Sequence, residues 1–288
     1  MKTKSIGLGI IVASLSASAA AAEVSYANAF ATFHNLDNGN ADVDVEAYGG
    51  SIEFLAGNFT FSGEAGRLDV EDLSLDTLSL GGSYAFQNGV SVGLDYSEFD
   101  VEDFGDSDIV SLFTFYSFSE FALGLSVGEA SDLGDTVYSV FGTWDVTENG
   151  RVGIDLVEIE SETLVSLYAD YDTNRYGLSA DFLSVNDLDI LAVSGEYQVF
   201  DKAYVTGGLA HVSLGDDLDS ISIGAKYEFV PGASAEIAYS RLNADGADDI
   251  DVVTFGLQYE IGAKTSPRRT VTNIINHATG NIANLTNF

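Results

Sequence analysis

Along most of this chain apolar and polar residues alternate with a period of two. Near the end, Val253, Phe255, Leu257, Tyr259 and Ile261 fall on one face, and Thr254, Gly256, Gln258 and Glu260 on the other. Earlier, Ile221, Ile223, Ala225, Tyr227 and Phe229 stand against Ser222, Gly224, Lys226 and Glu228. Tyr176, Leu178, Ala180 and Phe182 stand in the same way against Gly177, Ser179 and Asp181. Successive side chains of a strand point to opposite faces, so each stretch predicts a β-strand with one oily side and one wet side. The pattern also repeats on a longer scale. An alternation arrives at an aromatic, breaks at a tight turn such as Gln87-Asn88-Gly89 or Pro231-Gly232, and leaves as a second alternation. The anchoring aromatics are Phe54, Tyr84, Tyr116, Trp144, Tyr171, Tyr197, Tyr227 and Tyr259, spaced 26 to 32 residues apart. Such a period marks a repeated supersecondary unit, here a β-hairpin.

The repeat predicts sixteen strands, the first at 24–34, the sixth at 109–118 and the last at 250–261. An even number of strands about 10 to 12 residues long suits an antiparallel up-and-down barrel crossing a bilayer. A soluble sandwich would alternate too, with its apolar faces turned inward. Two features favour the membrane version. The aromatics cluster at strand ends beside the tight turns, where an interfacial girdle sits. The polar faces are rich in Ser and Gly with scattered charge, as a wet lumen requires. The fold class read from the sequence is therefore all-β, a transmembrane antiparallel up-and-down β-barrel of about 16 strands.

Composition agrees. In 288 residues there are 30 Gly, only two Pro and no Cys, which suits many strands and tight turns and leaves out disulfides and thiolate metal sites. Residues 1–22 read as a secretory signal peptide: Lys2 and Lys4, an apolar run from Ile6 to Leu15, then Ala20-Ala21-Ala22. No later apolar run reaches the length of a membrane-spanning helix. The barrel is expected over 23–263, followed by a C-terminal periplasmic tail over 264–288, in which Ile274, Ile275, Ala278, Ile282 and Leu285 hint at a short amphipathic helix.

Charge sharpens the picture. All 45 acidic residues lie between Glu23 and Glu260, where only six basic residues oppose them, an excess of 39 negative charges. Such a field repels nucleic acid and attracts cations. Parity with the polar faces makes Asp95, Asp155, Asp170, Asp181, Glu196, Glu228, Glu236 and Glu260 candidate pore-lining carboxylates, opposed by Lys226 and, as a further candidate, Arg241. The turns opposite the aromatic ends are acidic and are read as longer outer loops: Asp100 to Asp108, Asp216 to Asp219, Asp245 to Asp251. Weak, diffuse Ca²⁺ or Mg²⁺ binding at these loops is expected, with no ordered ligand pattern and no cofactor. His211 and Ser213, two apart on one strand, carry an alternative: a hydrolase in which the imidazole serves as base for a serine nucleophile. No Gly-rich phosphate loop follows a strand and opens a helix, so nucleotide binding has no support.

The signal peptide, sixteen amphipathic strands with aromatic ends and the absence of cysteine resemble the bacterial general porin superfamily. The resemblance implies a non-enzymatic channel in the outer membrane of a Gram-negative bacterium, passing ions and small hydrophilic solutes, often as a homotrimer. It also implies a constriction segment after the fifth strand, matched here by Glu102-Asp103-Phe104-Gly105-Asp106. His-x-Ser is similar to the pair in outer-membrane phospholipases and lipid A deacylases. A narrow or closed barrel with structural, adhesive or lipid-asymmetry roles is the remaining alternative.

Overall fold

The computed structural model describes residues 22–37, 42–71, 73–102, 105–131, 134–160, 162–173, 175–244, 249–270 and 274. Residues 1–21 of the expected signal peptide lie outside these.

Sixteen antiparallel strands close into one barrel. They are β1 Glu23–Asp37, β2 Asp42–Ala56, β3 Phe59–Val70, β4 Leu73–Ala85, β5 Val90–Val101, β6 Gly105–Phe118, β7 Phe121–Ala130 and β8 Asp135–Thr147. Then follow β9 Gly150–Ile159, β10 Glu162–Asp172, β11 Tyr176–Val185, β12 Leu188–Phe200, β13 Ala203–Leu214, β14 Asp216–Val230, β15 Ala233–Ala244 and β16 Ile250–Gly262. Each strand pairs with its sequence neighbours, and β16 returns to β1 in a ladder from Tyr26↔Gly262 to Asp37↔Asp251. Closure leaves no free edge, so every strand satisfies its backbone groups within the wall.

The alternation decides which way each face points. The oily faces look outward: Leu94 exposes 59% of its surface, Leu209 58% and Ile223 63%. The small and polar faces look inward: Ser97, Ser111, Ser139, Ser240 and Thr254 are all buried. Large apolar side chains exposed in rows over a closed barrel are those of a wall that faces lipid.

The eight anchoring aromatics stand on the outward face at one end of the barrel. Four of them, Tyr84, Tyr116, Trp144 and Tyr171, lie against other rings, edge to face at Tyr84 and stacked at the others. Tyr116, Phe118, Phe121 and Trp144 run across β6, β7 and β8 with ring centroids 5.5, 5.5 and 5.4 Å apart. Phe59, Tyr84 and Phe86 form a second row at 4.9 Å per step. The turns at this end are tight, with Gly89 at φ 87° and Gly232 at φ 79°, a backbone region that favours glycine.

At the opposite end the expectation of longer loops fails. There β3 and β4 are joined by 71–72, β9 and β10 by 160–161, and β13 and β14 by Gly215 alone. The acidic stretches belong to the ladder: Asp100 pairs with Asp106, Ser213 with Asp217 and His211 with Asp219. Of the expected constriction segment, Gly105 and Asp106 belong to β6, where Gly105 pairs with Val101 and Asp106 with Asp100. Glu102 closes back on β4, accepting from Ser74 Oγ at 2.9 Å. Asp103 and Phe104 lie outside the described residues.

Candidate functional site: the bore and the segment that crosses it

Register places all nine expected pore-lining residues on the inward face: Asp95 on β5, Asp155 on β9, Asp170 on β10, Asp181 on β11, Glu196 on β12, Lys226 and Glu228 on β14, Glu236 on β15 and Glu260 on β16. Arg241 does not join them. It faces outward beside Tyr239 and pairs with Asp251 at 3.0 Å. Within the bore, Lys226 bridges to Glu196 and lies 5.1 Å from the centre of the Tyr204 ring. Glu236 accepts from Thr206 Oγ1 at 2.6 Å.

Residues 264–288 were expected to form a C-terminal periplasmic tail, and the described part of that tail crosses the bore. After Gly262, Ala263 N donates to Ser25 O at 3.0 Å, which turns the chain inward. Glu53 on β2 then holds it. This carboxylate is 3% exposed and accepts from Ser25 Oγ at 2.7 Å, Thr265 N at 2.9 Å, Thr265 Oγ1 at 2.7 Å and Ser266 N at 3.4 Å. Lys264 lies 3.8 Å from Glu64 on β3. Further along, Arg268 Nε is 3.5 Å from Asp95 on β5, and Arg268 Nη1 donates to Ser139 on β8 at 3.2 Å. Arg269 is 3.6 Å from Asp155 on β9. Thr270 meets Ser79 on β4 at 3.2 Å. Strands β2 and β10 are half the barrel apart, so the segment spans the lumen from wall to wall.

The arginines rest on an aromatic floor. Arg268 lies 5.2 Å from the Phe141 ring centre and 5.9 Å from that of Phe113, and Arg269 lies 4.6 Å from that of Tyr168. Each ring leans over a glycine directly across the ladder: Phe113 over Gly93, Phe141 over Gly124, Tyr168 over Gly153. A Cβ on any of these glycines would collide with the ring above it. Glycine is needed here for close approach, and cation–π attraction adds to the charge pairing. The Asp95 and Asp155 separations are long for hydrogen bonds, so the attraction there is mainly between charges.

Towards the acidic end the bore changes character. Ile109, Ala130, Val137, Val157, Ile190, Val212, Leu242 and Val252 form an apolar collar, most of them 0–3% exposed, and Ile274 (1%) packs among them. Ile274 N donates to Thr270 O at 3.1 Å. Nothing in the expected wet lumen anticipated this collar. A cavity of about 360 Å³ remains at the aromatic end, between Asn28, Glu64, Arg151, Asp170, Lys264 and residues 266–269.

His211 and Ser213 share the outward face at the acidic rim. His211 Nδ1 meets Asp219 Oδ1 at 2.8 Å, and Ser213 Oγ donates to Asp217 Oδ1 at 2.8 Å. The serine proton is directed to an aspartate, so no serine–histidine pair is assembled. Among the described residues, no group of three or more His, Asp or Glu side chains is arranged to hold a metal ion.

No family model matches the sequence, and no curated protein resembles it closely enough in sequence to serve as a relative. Solved structures do match its shape. OprB of Pseudomonas putida aligns over 84% of this chain and 93% of its own, with TM-score 0.61 and 10% identity. A triple mutant of the Rhodopseudomonas blastica porin aligns over 83% of this chain and all of its own, with TM-score 0.50 and 14% identity. What the chain shares with these porins is the closed antiparallel barrel. At these identities the likeness concerns the fold, and the function has to be argued from the chain's own residues.

Proposed function

We propose that this porin-type barrel is an outer-membrane porin, a passive channel for small hydrophilic solutes that favours cations. One observation carries the reading: the barrel is oily outside and acidic inside. On the inward faces of β10 to β16, Asp170, Asp172, Asp181, Glu196, Glu228, Glu236 and Glu260 stand with a single basic residue, Lys226, and Arg151 on β9 is the next base along the wall. Carboxylates lining a low-dielectric passage raise the local cation concentration and lower the barrier to cation entry. Assembly as a homotrimer belongs to the same reading.

The test is conductance across a planar bilayer with a salt gradient. The mature chain should give stepwise openings whose reversal potential shifts towards that of the cation. A reversal potential on the anion side would refute the selectivity, and a bilayer silent both for this chain and for one carrying Arg268→Glu and Arg269→Glu would refute the channel. The rival, a narrow or closed barrel, is favoured by one observation only, the C-terminal segment in the bore.

A further inference from the structure

We propose that the segment Lys264–Thr270, with Ile274 beyond it, is a stopper that this barrel carries in its own bore, held by a two-arginine seat on one wall and by the apolar collar beyond it. The obstruction part of this proposal rests on the channel reading above, and the seating part does not.

Three observations converge. First, the connections between successive strands are short. The connections at the acidic end run from one residue at Gly215 to the five residues 245–249. Second, the seat makes sense only when filled. Asp95 and Asp155 are 5% and 2% exposed, and their cationic partners come from the tail. In the filled bore both carboxylates are buried, and a buried carboxylate stripped of its partner is strongly destabilising, so the arginines match the sites they cover. Glu53 repeats the argument, since three of its four donors are tail groups.

Third, the collar has apolar residues on both faces of its strands. Ile109 and Val110, Ile190 and Leu191, and Val252 and Val253 are adjacent pairs, with the first member pointing in and the second out. Runs of this kind belong to strands covered on both sides. Lipid covers the outside. Barrels of this strand number are wide enough to leave an aqueous channel, so opposite walls do not cover one another. Ile274 is the described residue of the tail within the collar, and fourteen residues follow it. Ile274 is 1% exposed there, so it fills part of the collar. With Lys264, Arg268 and Arg269 and no acidic side chain, the stopper has the opposite sign to the bore it fills.

The chain has no cysteine, so an introduced thiol reports on its own position. The full mature chain carrying Thr270→Cys, refolded in detergent, is treated with a membrane-impermeant maleimide. Asn88→Cys in an exposed turn serves as the reference. A seated stopper predicts labelling at Thr270→Cys more than tenfold slower than at Asn88→Cys. Adding Arg268→Glu and Arg269→Glu should bring the rate to within tenfold of the reference and raise single-channel conductance at least threefold. Labelling within tenfold of the reference without those changes overturns the proposal, whatever the variants do. Slow labelling with conductance unchanged by Arg268→Glu and Arg269→Glu overturns the obstruction. Slow labelling with a silent bilayer for both chains overturns the channel reading and supports the seat.

Discussion

Gly124→Ala is the smallest change that tests the aromatic floor. Gly124 lies on β7 directly between Phe115 on β6 and Phe141 on β8, and all three point inward. A methyl group there would sit 2.6 Å from Phe141 Cε2 and 2.7 Å from Phe115 Cβ. Ordinary carbon–carbon contact is about 3.5–4.0 Å, so both neighbours would have to yield by about 1 Å. Phe115 Cβ is fixed to its strand, and Phe141 is 1% exposed with Arg268 against its ring. Overpacking of this kind costs about 1–3 kcal/mol, and the lack of room to relax puts this case in the upper half. The usual effect has the opposite sign, since replacing glycine inside a strand by alanine gains about 0.5–1 kcal/mol. Trp144 is the only tryptophan, so urea unfolding of the refolded barrel can be followed by its fluorescence. In a Phe141→Ala background the ring atoms are gone, and the Gly124→Ala penalty should fall by at least half. A Gly124→Ala chain as stable as the parent, or an equal penalty in both backgrounds, would refute the packing argument.

The remaining predictions concern orientation and charge. Ile223→Arg places a cation on the lipid face and should cost about 2–4 kcal/mol, whereas Ser222→Arg, one residue away and facing the bore, should cost far less; equal costs in the same urea assay would mean that the faces are assigned wrongly. Lys226→Gln removes the base that bridges to Glu196 and should move the reversal potential further towards the cation, and a move towards the anion would contradict the acidic-wall account. Arg67→Ala breaks the pairs with Asp69 and Asp76 at the outward rim, where the three side chains are about one-third exposed, so the loss should stay within about 1 kcal/mol.

Strand number and facing were legible because the period-two pattern persists over whole strands and the turns carry glycine or asparagine. All nine lumen positions followed from parity alone. The start of β6 was not legible, because Glu98 faces Asp108 and Asp100 faces Asp106 across the ladder. Like charges opposite one another are unfavourable in a sheet, so the stretch reads as a loop, and the family's constriction segment was assigned to it. Arg241 was misplaced because the pattern inverts there: Leu242 is the inward residue and is 5% exposed.

The tail was illegible for a different reason. Its partners Asp95 and Asp155 are more than a hundred residues away, and nothing local to Arg268 or Arg269 points to them. The signal that could have found it lies in the strands, where alternation fails on purpose at Ile109-Val110, Ile190-Leu191 and Val252-Val253. A lone membrane pore needs oil on one side of its wall. A wall oily on both sides needs a second cover, and Ile274 of the terminal segment packs against it there. The same reasoning accounts for the charge distribution. A bore lined with acid holds a basic segment by attraction where its seat is polar and by burial where its collar is apolar, so the two halves of the lumen are different surfaces for one occupant.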